Sequence, residues 1–172
     1  MNSMIAIDGY AASGKGTIAK AVAKHLGFSY LDTGLIYRAV AQIALLRGQA
    51  PISERELIDI ARAFKPEYLR LENLRTETTG AYASKIAALP GLRLELVKFQ
   101  RSFALKSNGV VMDGRDIGSV ILPDAQLKVF VTADLNIRAN RRFKQLLKCN
   151  GAISFDEVCN DLSERDRLDK TR

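Results

Sequence analysis

The sequence is poor in the residues that build metal centres and disulfide frameworks. It has one histidine, His25, and two cysteines, Cys149 and Cys159. The cysteines form no C-x-x-C pair, and a single imidazole beside them falls short of a zinc ligand set. They read as reduced thiols of a cytoplasmic protein, with a regulatory disulfide as the alternative. His25 precedes Leu26-Gly27 at a predicted helix end, where a cation interacts with the dipole, and it is given no catalytic role. No apolar run reaches the roughly 18 residues that a membrane-spanning helix needs. The stretch from Met1 to Asp8 is too short and too soon acidic for a signal peptide, and reads as a first strand. Only 7% of residues are aromatic, and they do not interleave with basic ones, which argues against a base-stacking platform. Blocks of like charge are absent as well. The net charge of +7, from 26 Lys+Arg against 19 Asp+Glu, is therefore scattered among acids. That pattern suits discrete phosphate clamps better than a nucleic-acid stripe.

What is present is a regular alternation. At 172 residues the chain fits one α/β domain with a buried core. Met4 to Asp8 is a short apolar run closed by Gly9, a buried-strand signal. Ile18, Ala19, Val22, Ala23 and Leu26 recur at helical spacing from Lys15, and Gly27 caps that helix. Phe28 to Asp32 reads as a second strand and Gly34 to Arg47 as a helix stopped by Gly48. Ser53 and Glu56 have capping-box spacing ahead of Leu57, Ile58, Ile60 and Ala61. Tyr68 to Glu72 reads as a strand or a ragged loop. Gly80 to Ala88 and Pro90 to Lys106 read as helices, with Pro90 at the first helical position. Gly109 to Asp113 and Leu127 to Thr132 are expected as third and fourth core strands. Asn136 to Cys149 and Ser154 to Leu168 are expected as helices around a turn at Gly151. Strands alternating with helices predict a parallel α/β sheet. No internal repeat, low-complexity tract or long linker interrupts it.

The most specific local signal lies between the first strand and the first helix. Gly9-Tyr10-Ala11-Ala12-Ser13-Gly14-Lys15-Gly16-Thr17 matches G-x-x-x-x-G-K, with the hydroxyl residue one position late. Glycines let the backbone turn so that its N–H groups converge, and the helix N-terminus adds to that anion cradle. Lys15 is placed to reach the β- and γ-phosphates of a nucleotide, and Ser13 and Thr17 offer hydroxyls to phosphate or a magnesium-bound water. A Gly-rich turn with a solvated lysine is the bland alternative, and the strand before and helix after argue against it. The loop speaks for nucleotide-phosphate binding far more than for any one reaction.

A second set of blocks narrows the reading. Gly-Lys-Gly-Thr at 14–17 resembles nucleoside-monophosphate kinases. Asp32-Thr33-Gly34-Leu35-Ile36-Tyr37-Arg38 resembles the cytidylate kinase pattern D-[ST]-G-x-x-Y-R. Ser84 to Arg93, Gln100-Arg101, Met112 to Gly118, Phe130 to Ala133, Arg138 to Arg142 and Glu164 to Asp169 follow in that family's order. On these blocks, over nearly the whole chain, the sequence resembles the bacterial-type cytidylate kinase family of P-loop nucleoside-monophosphate kinases.

The resemblance implies an α/β P-loop kinase fold: a parallel sheet core flanked by helices, a small monophosphate-binding insert and a helical lid. Residues 1–172 would form a single domain, with the core at about 1–32 and 107–142, the monophosphate-binding region at about 33–106 and the lid at about 143–167. It implies transfer of the γ-phosphoryl group of ATP to CMP or dCMP in pyrimidine metabolism. ATP and Mg2+ would be required, in a cytoplasmic monomer with no nucleic-acid or membrane partner. Residues Gly9, Tyr10, Ala11, Ala12, Ser13, Gly14, Lys15, Gly16 and Thr17, with Arg141, would bind ATP. Lys15, Arg38, Arg115, Arg138 and Arg142 would form the catalytic set. Arg138, Arg141 and Arg142 share one helix face that can close over ATP. On the acceptor side, Asp116 would take the exocyclic amine of cytosine, Arg93 and Ser84 would donate to its acceptors, and Thr33 would help hold the base. A carboxylate facing uracil's carbonyl would leave buried groups unpaired, which discriminates strongly. Arg38, Arg115 and Arg172 would hold the CMP phosphate through bidentate forks, and Arg165 and Asp169 would bind ribose. No direct metal ligand is assigned. Thr17, Asp8 and Asp113 are the candidates near magnesium and its waters.

Read without the resemblance, Arg165 with Asp161 and Asp169 forms i,i+4 pairs of the kind that line a solvated helix. Arg38 and Arg93 then read as exposed residues of amphipathic helices. Gly114-Arg115-Asp116-Ile117-Gly118, just after an apolar strand, is harder to read as surface, because open α/β sheets bind ligands there. The sequence also departs from the family. Tyr10 stands where a proline is common, and Ala63 to Thr79 looks short for the insert, so its small sheet is expected to be reduced. The sequence ends at Arg172, ahead of the position where the family's further Pro-Leu segment, strand and last helix are expected. Three rival functions compete with the kinase of cytidine nucleotides. An adenylate or shikimate kinase would share the phosphate loop without explaining Asp32–Arg38 and Gly114–Gly118. A nucleic-acid-dependent NTPase would draw on the positive charge, and a nucleotide-binding but inactive remnant would keep the loop without turnover.

Overall fold

The computed structural model describes residues 3–48, 53–147 and 153–170. The expected Gly151 turn, Cys149 and Arg172 lie outside those residues.

The sheet grows from short apolar runs. β1 (Ser3–Gly9), β2 (Ser29–Asp32), β3 (Gly109–Gly114) and β4 (Leu127–Val131) form one parallel sheet in the order β2-β3-β1-β4. β3 is buried along its whole length, as a strand covered on both faces requires, and its Val-Val-Met run supplies that hydrophobicity. Register pairs Asp32 with Asp113, and Asp8 with Gly114. The strand-end carboxylates Asp8, Asp32 and Asp113 therefore collect at the C-terminal edge of the sheet, where parallel sheets place their ligands.

Helices cover both faces. α1 (Lys15–Leu26) packs Ala19 and Ala23 against Ile5, Ile7 and Val111 on one side. The larger core lies on the other side. It unites Ala6, Val110 and Met112 of the sheet with α2 (Thr33–Leu46), α3 (Glu54–Arg62), α4 (Glu77–Ile86) and α5 (Pro90–Leu105). α3 opens with the expected capping box, Ser53 and Glu56 satisfying each other's orphan groups. α6 (Leu135–Leu147) and α7 (Phe155–Lys170) form a separate small cluster through Ala139, Leu146, Val158 and Leu162.

Three expectations are corrected. Of the two readings of Tyr68 to Glu72, strand or ragged loop, the strand does not form. A 3-10 helix spans Pro66–Arg70, because Pro66 fixes the first-turn dihedral and holds Lys65 extended before it. α4 begins at Glu77, three residues before the expected Gly80, because the Thr76 hydroxyl caps it by accepting from Thr79 N–H. β4 forms as expected but is not a core strand. It lies at the sheet edge with Leu127 50%, Val129 37% and Phe130 58% exposed. Between α3 and α4 the described residues contain no strand, which agrees with the expected reduction of the insert.

Candidate active site

One cleft of about 820 Å³ opens at the C-terminal edge of the sheet, between the loop after β1, the start of α2, α4, and the helices α6 and α7. Its floor is built by the first βα turn. Gly14 takes a left-handed conformation and hands the chain to α1, whose first residues Lys15, Gly16 and Thr17 lie on the cleft wall. The Lys15 ammonium donates to the Tyr10 carbonyl at 3.2 Å. Burial, then the nearby Arg115 guanidinium, lowers its pKa to about 8. The Ser13 hydroxyl is buried, and its oxygen has no hydrogen-bond partner among the described residues. A buried hydroxyl of this kind inside a main-chain anion cradle fits a phosphate oxygen.

Strand-end carboxylates form the wall beside the loop. Asp113 is 4% exposed, and its pKa is raised to about 6 by burial and by the neighbouring Asp32. The Tyr30 hydroxyl donates to Asp113 Oδ1 at 2.5 Å, and burial together with that bond pushes the phenol pKa up. Asp32 caps α2 by accepting from Leu35 N–H at 3.3 Å. Asp8 is used differently. Its two carboxylate oxygens accept from the backbone N–H groups of Ile117 and Gly118, both at 2.8 Å, and fix the loop after β3. Asp8 is absent from the cleft wall.

Arginines line the cleft from several elements, two of them, Arg115 and Arg141, against the phosphate loop itself. Arg38, Arg75, Arg93, Arg115, Arg141, Arg142 and Arg165 all line the cleft. Arg38 donates to the carbonyls of Leu74 at 2.8 Å and Thr76 at 3.2 Å, and its guanidinium lies over Gly80. A Cβ at position 80 would stand 2.6 Å from Arg38 Nη2, so only glycine leaves the fork this path. Burial, then the charges of Arg165, Arg142 and Arg75, lowers the Arg38 pKa to about 10. Such a gathering of cations is costly to hold together and matches a multiply charged anion.

Arg93 pairs with Asp116 through Nη2 and Oδ2, and it also donates to the Ala87 carbonyl at 3.4 Å. Ser84 lines the cleft beside them. The Thr33 hydroxyl donates to the Asp113 carbonyl at 2.8 Å, tying the start of α2 to the end of β3. Arg115 pairs with Asp169 at 3.1 Å and donates to the Gly9 carbonyl at 3.0 Å. Arg141 donates to the Ser13 carbonyl at 3.0 Å.

The structure thus brings most of the expected residues to one cleft, from Ala11 to Thr17, with Thr33, Arg38, Ser84, Arg93, Asp113, Arg115, Asp116, Arg141, Arg142, Arg165 and Asp169 on its wall. Four stand behind it. Gly9 and Asp8 shape the loops. Tyr10 packs edge-on against Phe130, with centroids 5.4 Å apart. Arg138 is 4% exposed, stacks over Tyr10 and pairs with Asp166. Residues that the sequence pattern did not single out are also present. Arg75 lines the cleft and pairs with Asp32 at 3.4 Å. Tyr30 reaches Asp113 across the sheet. Neither carries a local motif, and only the pairing of β2 with β3 brings Tyr30 to its partner.

A parallel sheet whose first strand ends in an amide cradle with a lysine, facing an arginine-lined acceptor wall across one cleft, defines a P-loop kinase. The family model for cytidylate kinase matches residues 5–172, and the chain belongs to that family. It is 49% identical over 169 residues to a cytidylate kinase of Azorhizobium caulinodans, covering 98% of this chain and 82% of that protein. It is 49% identical over 172 residues to the cytidylate kinase of Cereibacter sphaeroides strain ATCC 17023, covering 100% and 80%. A cytidylate kinase of Paramagnetospirillum magneticum is 45% identical over 175 residues, covering 100% and 83%.

Proposed function

We propose that the chain is a cytidylate kinase, transferring the γ-phosphoryl group of ATP to CMP or dCMP to give CDP or dCDP and ADP. The observation that carries this reading is the opposition, in one cleft, of the Lys15 loop and the arginines that surround Arg38. Phosphoryl transfer to an existing phosphate oxygen needs no general base. It needs alignment of two nucleotides and neutralisation of charge.

The residues divide accordingly. The amides from Ala11 to Thr17 and the Lys15 ammonium hold the donor phosphates, with Arg141 beside the loop. Arg38, Arg115, Arg142 and Arg172 hold the acceptor phosphate and the charge that develops during transfer. Asp116, oriented by Arg93, accepts from the cytosine amine, while Ser84 and Thr33 border the base and Arg165 and Asp169 the ribose. Arg138 belongs to this machinery as the residue that fastens the loop to α6 and α7. The core would span about 1–32 and 107–142, the monophosphate-binding region about 33–106, and the lid about 143–167, closing over ATP and excluding water.

The cleft also fits magnesium. Among the described residues no group of three or more His, Cys, Asp or Glu side chains gathers to cage a metal. Mg2+ is commonly held by phosphates, waters and one or two carboxylates, and Asp113 with the Thr17 hydroxyl supplies that chemistry at the cleft wall. When bound, the ion neutralises phosphate charge. Because both oxygens of Asp8 are engaged by backbone N–H groups, its contribution is to position the loop after β3.

No helix among the described residues is long and apolar enough to cross a membrane. A cytoplasmic monomer acting on free nucleotides, without nucleic acid, is consistent with the scattered charge. The test is a coupled kinase assay across the ribo- and deoxyribonucleoside monophosphates with ATP and Mg2+. Turnover of CMP and dCMP far above that of UMP, AMP and GMP is expected. Equal turnover of CMP and AMP would overturn the acceptor assignment, and CMP binding without turnover would overturn the activity.

A further inference from the structure

In the general phosphate loop the residue after the lysine is Ser or Thr, and its hydroxyl reaches magnesium. Here that residue is Gly16, the second residue of α1. Its φ lies outside the left-handed region, so the position does not require glycine for its backbone. A Cβ built there would stand 3.5 Å from Asp113 Oδ2 and 3.7 Å from the Tyr30 hydroxyl, both ordinary contacts. A phenol oxygen from β2 thus reaches the niche that a hydroxyl of residue 16 would enter. It arrives already bonded, donating to Asp113 Oδ1 at 2.5 Å. The Lys20 ammonium lies over the ring, 5.7 Å from its centroid. Tyr30, Gly16, Thr17 and Asp113 share the same cleft wall.

We infer that the Tyr30 hydroxyl replaces the loop hydroxyl that Gly16 lacks, and that Tyr30 is a positioning residue that sets Asp113 toward the hydrated magnesium of ATP. The inference rests on the ATP and magnesium reading above and adds a residue to it. Tyr30 is supplied by a different strand from the loop, so a hydroxyl usually encoded next to the lysine is here delivered across the sheet through β3. A serine at residue 16 would place its Cβ in ordinary contact with Asp113 Oδ2 and the Tyr30 hydroxyl, and so bring a second oxygen beside that phenol.

Four proteins test this: wild type, Tyr30→Phe, Gly16→Ser and the double variant. ATP affinity is measured by calorimetry in EDTA and at saturating Mg2+, and the ratio is the magnesium enhancement. Melting curves verify folding. Tyr30→Phe is expected to lower the enhancement by about tenfold or more, since a buried hydrogen bond to a charged group is lost, with affinity in EDTA unchanged. The double variant is expected to return to within about threefold of wild type. A purely structural role for Tyr30 would not be rescued by a serine on another element. An unchanged enhancement in Tyr30→Phe, or a double variant no better than the single one, overturns the inference.

Gly16→Ser alone gives an independent arm should Tyr30→Phe fail to fold. An enhancement no greater than that of wild type supports the inference, and a tenfold gain overturns it, because a loop hydroxyl would then add what Tyr30 does not supply. The two readings fail differently. Wild type lacking any magnesium enhancement would sink the magnesium assignment, whereas a normal wild-type enhancement indifferent to Tyr30 would sink this inference alone.

Discussion

Arg138 of α6 grips Asp166 of α7 with a two-pronged pair, Nη1 to Oδ1 at 3.2 Å and Nη2 to Oδ2 at 2.7 Å. The same guanidinium donates to the carbonyls of Ala11 at 3.3 Å and Ala133 at 2.8 Å, so one side chain joins the phosphate loop to both helices. Deleting one member of a buried pair strands the other charge, at about 3 kcal/mol or more. Asp166→Ala is therefore expected to lower stability by about that amount in urea unfolding. The replacement of both residues in Arg138→Met/Asp166→Leu is expected to recover only part of the loss, because the carbonyls of Ala11 and Ala133 then lose their donor. Full stability in Asp166→Ala would show the pair to be incidental.

Lys15 carries the opposite balance of stability and function. Its folded pKa of about 8 lies below the ordinary 10.5, because the ammonium is partly desolvated beside Arg115. The unfolded chain therefore binds its proton more tightly. The resulting destabilisation is fully present below pH 8 and is relieved as pH rises from about 8 to 10.5. Lys15→Met is expected to be more stable than wild type at pH 7, by about 1–3 kcal/mol, and slower by about 10²–10³-fold. The kcat/KM for ATP should fall as pH rises through 8 in wild type. Near-normal turnover in Lys15→Met would refute the donor site.

Base selection is placed on Asp116. Asp116→Asn substitutes an amide donor for a carboxylate oxygen, leaves Arg93 with a weaker partner and tolerates the uracil carbonyl. The ratio of kcat/KM for CMP over UMP is expected to fall by about tenfold to a hundredfold. An unchanged ratio would remove Asp116 from the base pocket.

Gly80 offers a test in which fold and function separate. Gly80→Ala inserts a methyl group 2.6 Å from Arg38 Nη2, and the flexible guanidinium must move aside. In α4 the change favours helix by about 1 kcal/mol. The KM for CMP is expected to rise by about tenfold, as expected for a displaced bidentate phosphate contact, with the KM for ATP and the melting temperature preserved or raised. A rise in the KM for ATP alone would place Arg38 on the wrong nucleotide.

The alternation of apolar runs and helical faces disclosed the sheet and its helices, because parallel strands read as continuous hydrophobicity and caps such as Ser53–Glu56 mark starts locally. The phosphate loop was legible for the same reason, its glycines and lysine being contiguous. What depends on distant pairing was hidden. Whether Arg138 enters the cleft or ties Asp166 behind it turns on how α6 packs against α7, which no spacing encodes. The division of labour between Asp8 and Asp113 was equally invisible. Both are acids ending apolar strands, yet the amides of Ile117 and Gly118 occupy one and Tyr30 reaches the other. The stretch from Tyr68 to Glu72 reads as either strand or loop because it shows no clear period, and Pro66 ahead of it dictates the tight turn that forms.

The exposed border at β4 has a colloidal consequence. An edge strand with open ladder groups and protruding Leu127, Val129 and Phe130 is a template for intermolecular pairing. At low ionic strength the molecules' mutual repulsion, from a net charge of +7, opposes that encounter. Added salt shortens the screening length from about 10 Å at 0.1 M to about 3 Å at 1 M and strengthens apolar contact between molecules. Light scattering should therefore rise with salt in this chain, and Val129→Lys should abolish the rise.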